Sequence, residues 1–562
     1  MTARVCWNPG NEEADVSMTT AGRRGPALLT ERHASVGSVR GAQGVPARPR
    51  SAGSAVRAGL AVWLVFAMAA AVPAREAFVE NVAQLAAVLP RAGAGDTIVL
   101  RKGEWPNTPL IVGRGGSKAS PLVIRAEIPG ETVLSGLSFV TIAAPFVIVD
   151  GLAFQRGAIA EGAVVVFNSH HGVLRNAAVI DYNPPAADTQ YYWVFFNGDH
   201  NAVDRCYFKG KSNLGPVIGN ARDGSRHNAV TNCHFKNIPY RAANGREIIR
   251  VWGYGQNDEV GQDGAFFTIE GNLFDHADGE GSETISLKSN RNMVRRNTLL
   301  ATRGGITIRR GSFNTVTENL ILGQGVDRAH GLRIAGQHNV VADNYVAGCD
   351  FGIAISAGEY VRGPLTPKYK PHAAEEGSGK TRTAFYPPVV HLTLTGNVLV
   401  DNSEEDLDVG RGYLDDWPAA QMVLLPEECV IERNRFVRPR KGTSVIGMLP
   451  KDEQPFSRFP PKPNRYAGNV VLGGKVKYAP AEEGFDVQPL PEGWSVESEV
   501  MPAKPLTDAD VGPEWVIALR QSGSFTLEDA GVDQSAMPGA ATETKDEKKA
   551  RKAREKAAGK RP

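Results

Sequence analysis

The segment Glu280-Gly-Ser-Glu283-Thr-Ile-Ser-Leu-Lys288 is followed by Thr307-Ile-Arg309-Arg310, so carboxylates, an ammonium and guanidinium groups gather within a short span. Lys288 and Arg309 lie twenty-one residues apart. That spacing is close to the repeat length described next, so it sets them at matching positions on successive turns. An acid, a lysine and an arginine so placed suit removal of a proton beside a carboxylate. The bland alternative is a surface ion-pair ladder of Lys288 and Arg309 with Glu283.

The elements that must position these groups show themselves as a repeat. His200-Asn-Ala-Val203-Asp-Arg-Cys206-Tyr-Phe208 returns as His227-Asn-Ala-Val230-Thr-Asn-Cys233-His-Phe235. Related units carry Asn272, Asn297, Asn319 and Asn344 at intervals of 25, 22 and 25 residues. Within each unit apolar and polar residues alternate, as in Thr268-Ile269-Glu270 and Thr307-Ile308-Arg309, the two-residue period of a strand with one face buried. Short strands repeating at this interval predict an all-β protein, a right-handed single-stranded parallel β-helix with coils about 4.8 Å apart. The regular leucines of a leucine-rich repeat are absent. The recurrent asparagine reads as structural, bonding to the neighbouring coil at a bend. Val79–Leu89 reads as an amphipathic helix that caps the open end of the stack.

The 562 residues include 61 Gly and 36 Pro and are 42% hydrophobic, which suits one large, turn-rich solenoid over residues 77–480. A net charge of only +2 implies no global field for polyanions, and no nucleic-acid partner is expected. Residues 1–57 read as disordered, or as an extension ahead of a true start near Val56. Residues 58–74 resemble a secretory signal peptide cleaved near Ala74. Its apolar run is short for a spanning helix, so no stable membrane span is expected and the mature chain is placed outside the cell or in the periplasm. Cys206 and Cys233 occupy equivalent repeat positions and read as buried small apolar residues. Residues 359–386 form a long insertion, and residues 481–562 a C-terminal extension ending in a charged, disordered tail.

Gly95–Trp105, Pro121–Ala126, Val149–Phe154, Cys206–Lys211, Asn244-Gly-Arg-Glu247-Ile-Ile-Arg250 and Gly331–Ile334 match, in order, a known pattern. Over residues 77–360 the chain resembles polysaccharide lyase family six, the group containing alginate lyases and chondroitinase B. The resemblance implies cleavage of uronate polymers by β-elimination. Such an enzyme must neutralise the C6 carboxylate, take the C5 proton and support the oxygen leaving from C4. It assigns Lys288 as the base and places Arg309 at the leaving oxygen; a lysine can act so only where nearby cations or burial weaken its hold on the proton. Relatives hold calcium through an asparagine and two glutamates seven and five residues before the lysine. Here Glu283 fills the nearer position and Asn244 matches the asparagine, but the other position is Gly281. Glu280 is one residue off and in a strand would face the other way unless the backbone bulges. Two readings follow: a weakened calcium site, or a metal-free enzyme in which Arg250 neutralises the substrate carboxylate.

Arg333 and Lys211 match the family's substrate-binding pattern, while Arg250, Arg310 and His330 join them by proximity in the repeat. Trp252 and Tyr254 are candidates to stack on a sugar. Alginate is the expected substrate. A dermatan sulfate lyase of the chondroitinase B type, another enzyme on a similar solenoid, such as a glycosidase or an epimerase, and a non-catalytic carbohydrate-binding solenoid are the alternatives.

Overall fold

The alternating pattern folds as three long parallel sheets that share one interior. The computed structural model describes residues 74–221, 225–253, 263–361, 386–417, 420–439, 444–447, 459–476, 484–499, 501 and 503–522. Two sheets contain 14 strands and the third 13, each strand pairing with the equivalent strand one coil away. This is the expected right-handed parallel β-helix. The segments read as signal peptide and disordered tails lie outside the described residues, as does most of the 359–386 insertion. No helix among the described residues is long and apolar enough to cross a membrane.

The 13-stranded sheet carries the candidate site. Its strands include Tyr192–Phe196, Ile218–Asn220, Ile249–Trp252, Ile285–Lys288, Gly304–Arg310, Ala329–Ile334, Ile353–Ser356 and Leu407–Arg411. Val194, Ile218, Ile249, Ile285, Ile306, Leu332, Ile353 and Leu407 form one column in register, every member buried in the core. The next residue of each strand faces the other way. Arg250, Ser286, Thr307, Arg333, Ala354 and Asp408 therefore make an outward column across the same coils.

The asparagines hold this stack at its bends. Each Nδ2 donates to the Oδ1 one coil on: Asn272 to Asn297 at 2.9 Å, Asn297 to Asn319 at 2.9 Å, Asn319 to Asn344 at 3.0 Å and Asn344 to Asn397 at 3.0 Å. All are buried, so each amide replaces water for backbone groups at a turn. A second ladder runs from Asn292 to Asn314 at 2.9 Å and on to Asn339 at 3.2 Å. Outside the wall, His171, His200, His227 and Phe266 stack with ring centroids 4.7–4.9 Å apart, each in a left-handed turn. Cys206 and Cys233 sit one above the other as free, buried thiols.

The N-terminal end is closed by the helix Val82–Val88, capped by the Asn81 side chain and burying Leu85 in the core. At the other end the solenoid gains a strand beyond residue 480, Phe485–Gln488, paired with Asn469–Leu472. The helix Glu514–Gln521 then lies on the outside of a 14-stranded sheet, burying Val516 beside Ala178, Ile180 and Tyr207. A small antiparallel sheet, Gly358–Val361, Ala420–Leu424 and Asp416–Trp417, stands beside the site sheet.

Replacing Asn319 by Ala removes the acceptor of the Asn297 amides and the donor to Val294, Thr317 and Asn344. Stranding several buried groups should cost about 3 kcal/mol or more. Thermal and urea unfolding of Asn319→Ala will read this, and a loss below about 0.5 kcal/mol would show the ladder to be dispensable.

Candidate active site

Lys288 and Arg309 leave the wall on the same side, because each follows a core residue: Leu287 and Ile308 are register partners in the interior. The register then slips. Lys288 pairs with Arg310, and a bulge in Gly304–Arg310 places Arg309 and Arg310 together beside the lysine. Lys288, Arg309 and Arg310 are all buried, which excludes a solvated surface ladder. Four consecutive coils thus contribute cations: Arg250, Lys288, the Arg309–Arg310 pair and Arg333.

Three carboxylates stand among them. Glu247, Glu280 and Glu283 each bring an oxygen within 4.8 Å of the others. Lys288 Nζ donates to Glu247 at 3.1 Å, and Arg250 lies 3.6 Å from the same carboxylate. Glu283 lies 3.8 Å from Arg309, pairs with Arg333 from the next coil, and accepts from Ser286 Oγ at 2.5 Å. Glu280 accepts from the backbone amides of Gly245 and Arg246 at 2.9 and 3.2 Å and from Ser282 at 2.8 Å.

Burial acts on these acids in opposite settings. Glu280 is pushed up to about 8 by burial and by the charges of Glu247 and Glu283, with Lys288 only partly offsetting them. Burial would also raise Glu283, but Arg333, Arg309, Lys288 and the Ser286 hydroxyl hold it down to about 2. Three carboxylates gathered in this way are a donor set that could hold a cation. Oxygen-only ligands fit calcium, although it needs six to eight.

Aromatic rings close the site. Trp252 lies beneath Lys288, 4.6 Å from Nζ, and 5.5 Å from the Arg250 guanidinium. Tyr192 lies across Gly219, where an added Cβ would stand 2.5 Å from its ring, and its hydroxyl accepts from Arg250 at 2.5 Å. Tyr386 stacks on Arg309 with 4.3 Å between guanidinium carbon and ring centroid, and its hydroxyl accepts from Nη1 of that arginine.

Several expected residues stand elsewhere than the pattern implied. Glu280 reaches the acidic cluster from a turn, not from a bulged strand, because the strand begins only at Ile285. Gly281, where relatives carry a glutamate, has φ +76°, and an added Cβ would stand 2.6 Å from the Tyr240 ring, so this position has no space for the missing ligand. Asn244 is exposed, and Glu247, three residues on, stands in the carboxylate trio. Lys211 lies outside the cluster. Its ammonium is buried and bonds Asn213 Oδ1 at 2.9 Å and the carbonyls of Asn213 and Leu214 at 3.2 and 3.1 Å, a structural role. Burial and the nearby Arg246 push its proton affinity far down. His330 stacks on Phe351 at 4.7 Å, and burial with Arg333 and Arg411 takes it down to about 3, so it brings no positive charge at neutral pH. Tyr254 lies outside the described residues.

Glu247 and Tyr386 were missed. Glu247 sits inside the matched Asn244–Arg250 stretch, so its carboxylate was visible there; Tyr386 returns from across the long insertion and leaves no local signal.

Lys288 and the arginines stand on one sheet of a parallel solenoid, the three glutamates lie in the segments that lead into its strands, and comparison with known proteins gives the class. Residues 79–364 match the family model described as Chondroitinase B. A polysaccharide lyase family 6 enzyme from Pseudopedobacter saltans, Pedsa3628, is 37% identical over 78% of this chain and 99% of its own, with a TM-score of 0.68. A mannuronic acid specific family 6 lyase from human gut microbiota (23% identity, 82% of this chain, 100% of its own, TM-score 0.66) shares the fold. So does the alginate lyase AlyGC (22%, 78% of this chain, 58% of its own, TM-score 0.65). A search of curated proteins gave no significant match. The chain belongs to polysaccharide lyase family 6.

Glu280 is raised in the folded state, so between its ordinary value near 4.5 and about 8 the unfolded chain releases a proton that the folded chain keeps, and its contribution to stability falls as pH rises through that window. Glu280→Gln should therefore stabilise the metal-stripped protein by about 1 kcal/mol or more at pH 8.5 and change little at pH 5. Equal melting temperatures of the two proteins at pH 8.5 would contradict a frustrated acid at this position.

Proposed function

We propose that this chain is an alginate lyase that cleaves by β-elimination, with Lys288 as the base that takes the C5 proton and Arg309 as the cation beside the departing O4. The observation that carries this is the placing of Lys288 and Arg309 on one outward face of adjoining coils, with the carboxylate trio beside them. Arginines on three of four successive coils, about 4.8 Å apart, give a polyuronate repeated positive charge along the solenoid axis beside Lys288. Arg309 keeps its proton at any working pH, so its part is to stabilise negative charge on O4.

Glu247, Glu280 and Glu283 would hold a calcium ion, whose chemistry there is to draw charge from a neighbouring substrate carboxylate. Arg250, anchored by Glu247 and Tyr192, is the group that would do so without metal. Alginate is favoured over dermatan sulfate because family 6 relatives are named as alginate and mannuronic acid lyases. The chondroitinase B reading is supported by the matching family model. The apolar run at residues 58–74 supports export to the periplasm or medium.

Purified protein offered alginate, polymannuronate, polyguluronate and dermatan sulfate should raise ultraviolet absorbance on the alginate polymers through the new C4=C5 double bond. Lys288→Ala should lower that rate by about 1,000-fold or more. Silence on all four polymers would remove the lyase reading, and an active Lys288→Ala would remove the assigned base. A strong chelator should reduce the rate and calcium restore it; full activity in chelator assigns charge neutralisation to Arg250.

A further inference from the structure

At the bend where the chain leaves the 13-stranded site sheet, successive coils set a flat side chain at the same left-handed turn position. His171, His200 and His227 are followed there by Phe266, Arg291 and Phe313, all with φ between +50° and +60°. The rings stack as parallel plates. His171 and His200 lie 4.9 Å apart at 19°, His200 and His227 4.7 Å apart at 4°, and His227 and Phe266 4.8 Å apart at 15°. Each histidine of the trio also donates its backbone amide to the next coil, to the carbonyls of Asp199, Arg226 and Ala265 at 3.2, 2.8 and 2.9 Å. Ring and amide thus close the same bend together.

The chemistry of the stack changes along its length. On the coils of Lys288 and of Arg309 the turn residues are Arg291 and Phe313, whose charge is constant near neutral pH, and the Arg291 guanidinium lies 4.9 Å from the Phe313 ring. The three coils before Phe266 carry imidazoles, which gain a charge between about pH 5 and 8. All three are exposed, so protons reach them. Two imidazolium rings at this spacing repel enough to shift an equilibrium by about fourfold even in water, and His200 has such a neighbour on either side.

The surroundings act mostly in the same direction. Lys118 and His170 add positive charge at His171 and Arg226 adds it at His227, while Asp199 opposes them at His227. Arg226 is itself paired with Asp263 at 2.6 Å. His170 Nδ1 lies 2.9 Å from His171 Nδ1, a hydrogen bond that needs one bare nitrogen and is lost when both rings are protonated. Partial loss of water within the stack, and then the charge of His200, hold His171 and His227 below the ordinary value of 6.5. Between that lowered value and 6.5 an opened bend takes a proton that the closed bend does not, so closure is strongest above 6.5 and weakens as pH falls through the window. Farther along, His338 and His391 stack at 4.7 Å, but Glu428 stands 3.7 Å from His391 Nε2 as a counter-charge and is shared with Lys462 at 2.8 Å.

We propose that the His171–His200–His227 stack is a pH-operated fastener: with neutral rings it holds three coils together beside the site sheet, and with protonated rings it opens that bend while the coils of Lys288 and Arg309 stay closed. The device is local because the rings that follow the trio carry no titrating group.

Hydrogen–deuterium exchange of the full chain at about pH 7.5 and about pH 5.0, corrected for the intrinsic pH dependence of exchange, reads the opening directly. Peptides containing the amides of His171, His200 and His227 should lose about tenfold or more of their protection at the lower pH, and those containing Arg291 and Phe313 less than about threefold. His200→Phe keeps a ring of the kind already present at Phe266 and Phe313 and removes the central charge; its acid response over the trio should fall below about threefold. His227→Phe leaves the His171–His200 pair and should keep a response of about fourfold, which guards against a single variant that folds poorly. An equal acid response over all coils, a response unchanged in His200→Phe, or no response in the native chain would each overturn the proposal. The measurement uses no substrate, so its outcome leaves the lyase reading untouched.

Discussion

Glu283 binds two arginines that arrive on two different coils, Arg309 and Arg333, and its carboxylate is buried. Charges removed from water in this way hold only while each has its partner, since an orphaned buried ion costs about 3–5 kcal/mol. The consequence is positional. Moving Arg309 toward solvent would take one of its two arginines from Glu283, which favours a guanidinium held beside Lys288, and Lys288 is itself tied to Glu247. The cluster is expensive in the ground state and pre-arranged for a substrate that brings a carboxylate of its own.

The solenoid makes such a cluster affordable. Each coil contributes one or two outward residues at a fixed spacing, while Ile285, Ile306, Leu332 and their equivalents hold the register from within. Asparagine ladders lock the bends, so a functional side chain is placed by the rung on which it sits. The basic side chains of four rungs then follow the solenoid axis, which is the direction a chain of sugars can lie. Three coils beyond the Arg309 rung the same outward column reaches Asp408, raised to about 6 chiefly by burial and paired with Arg411 at 3.2 Å.

Much of this was legible in the residues. The repeat intervals at Asn272, Asn297, Asn319 and Asn344 gave the coil length, and alternation gave the buried face. The Lys288–Arg309 spacing gave one shared face. What the spacing hid was the bulge that pairs Lys288 with Arg310, because an extra residue in a strand is a choice of backbone, not of composition. Glu280, named as a candidate ligand only if the backbone left the strand pattern, joins the cluster because a turn through Gly279 and Gly281 brings it in. Lys211 carries a cation in the sequence, but Asn213 and Leu214 absorb it. Tyr386 belongs to a segment that leaves the repeat and returns, and no periodicity constrains where such a chain comes back.

The central claim is that one uronate lies across the Lys288 and Arg309 rungs with its C5 hydrogen toward the lysine. A crystal structure of Lys288→Ala with an alginate tetrasaccharide tests it directly. The account predicts a sugar on the outer face of the 13-stranded sheet, with its carboxylate toward the Glu247–Glu280–Glu283 cluster and Arg250, its C5 hydrogen toward the vacated lysine position, and O4 at Arg309. A saccharide bound on either 14-stranded sheet, or bound here with C5 turned to solvent, would contradict it.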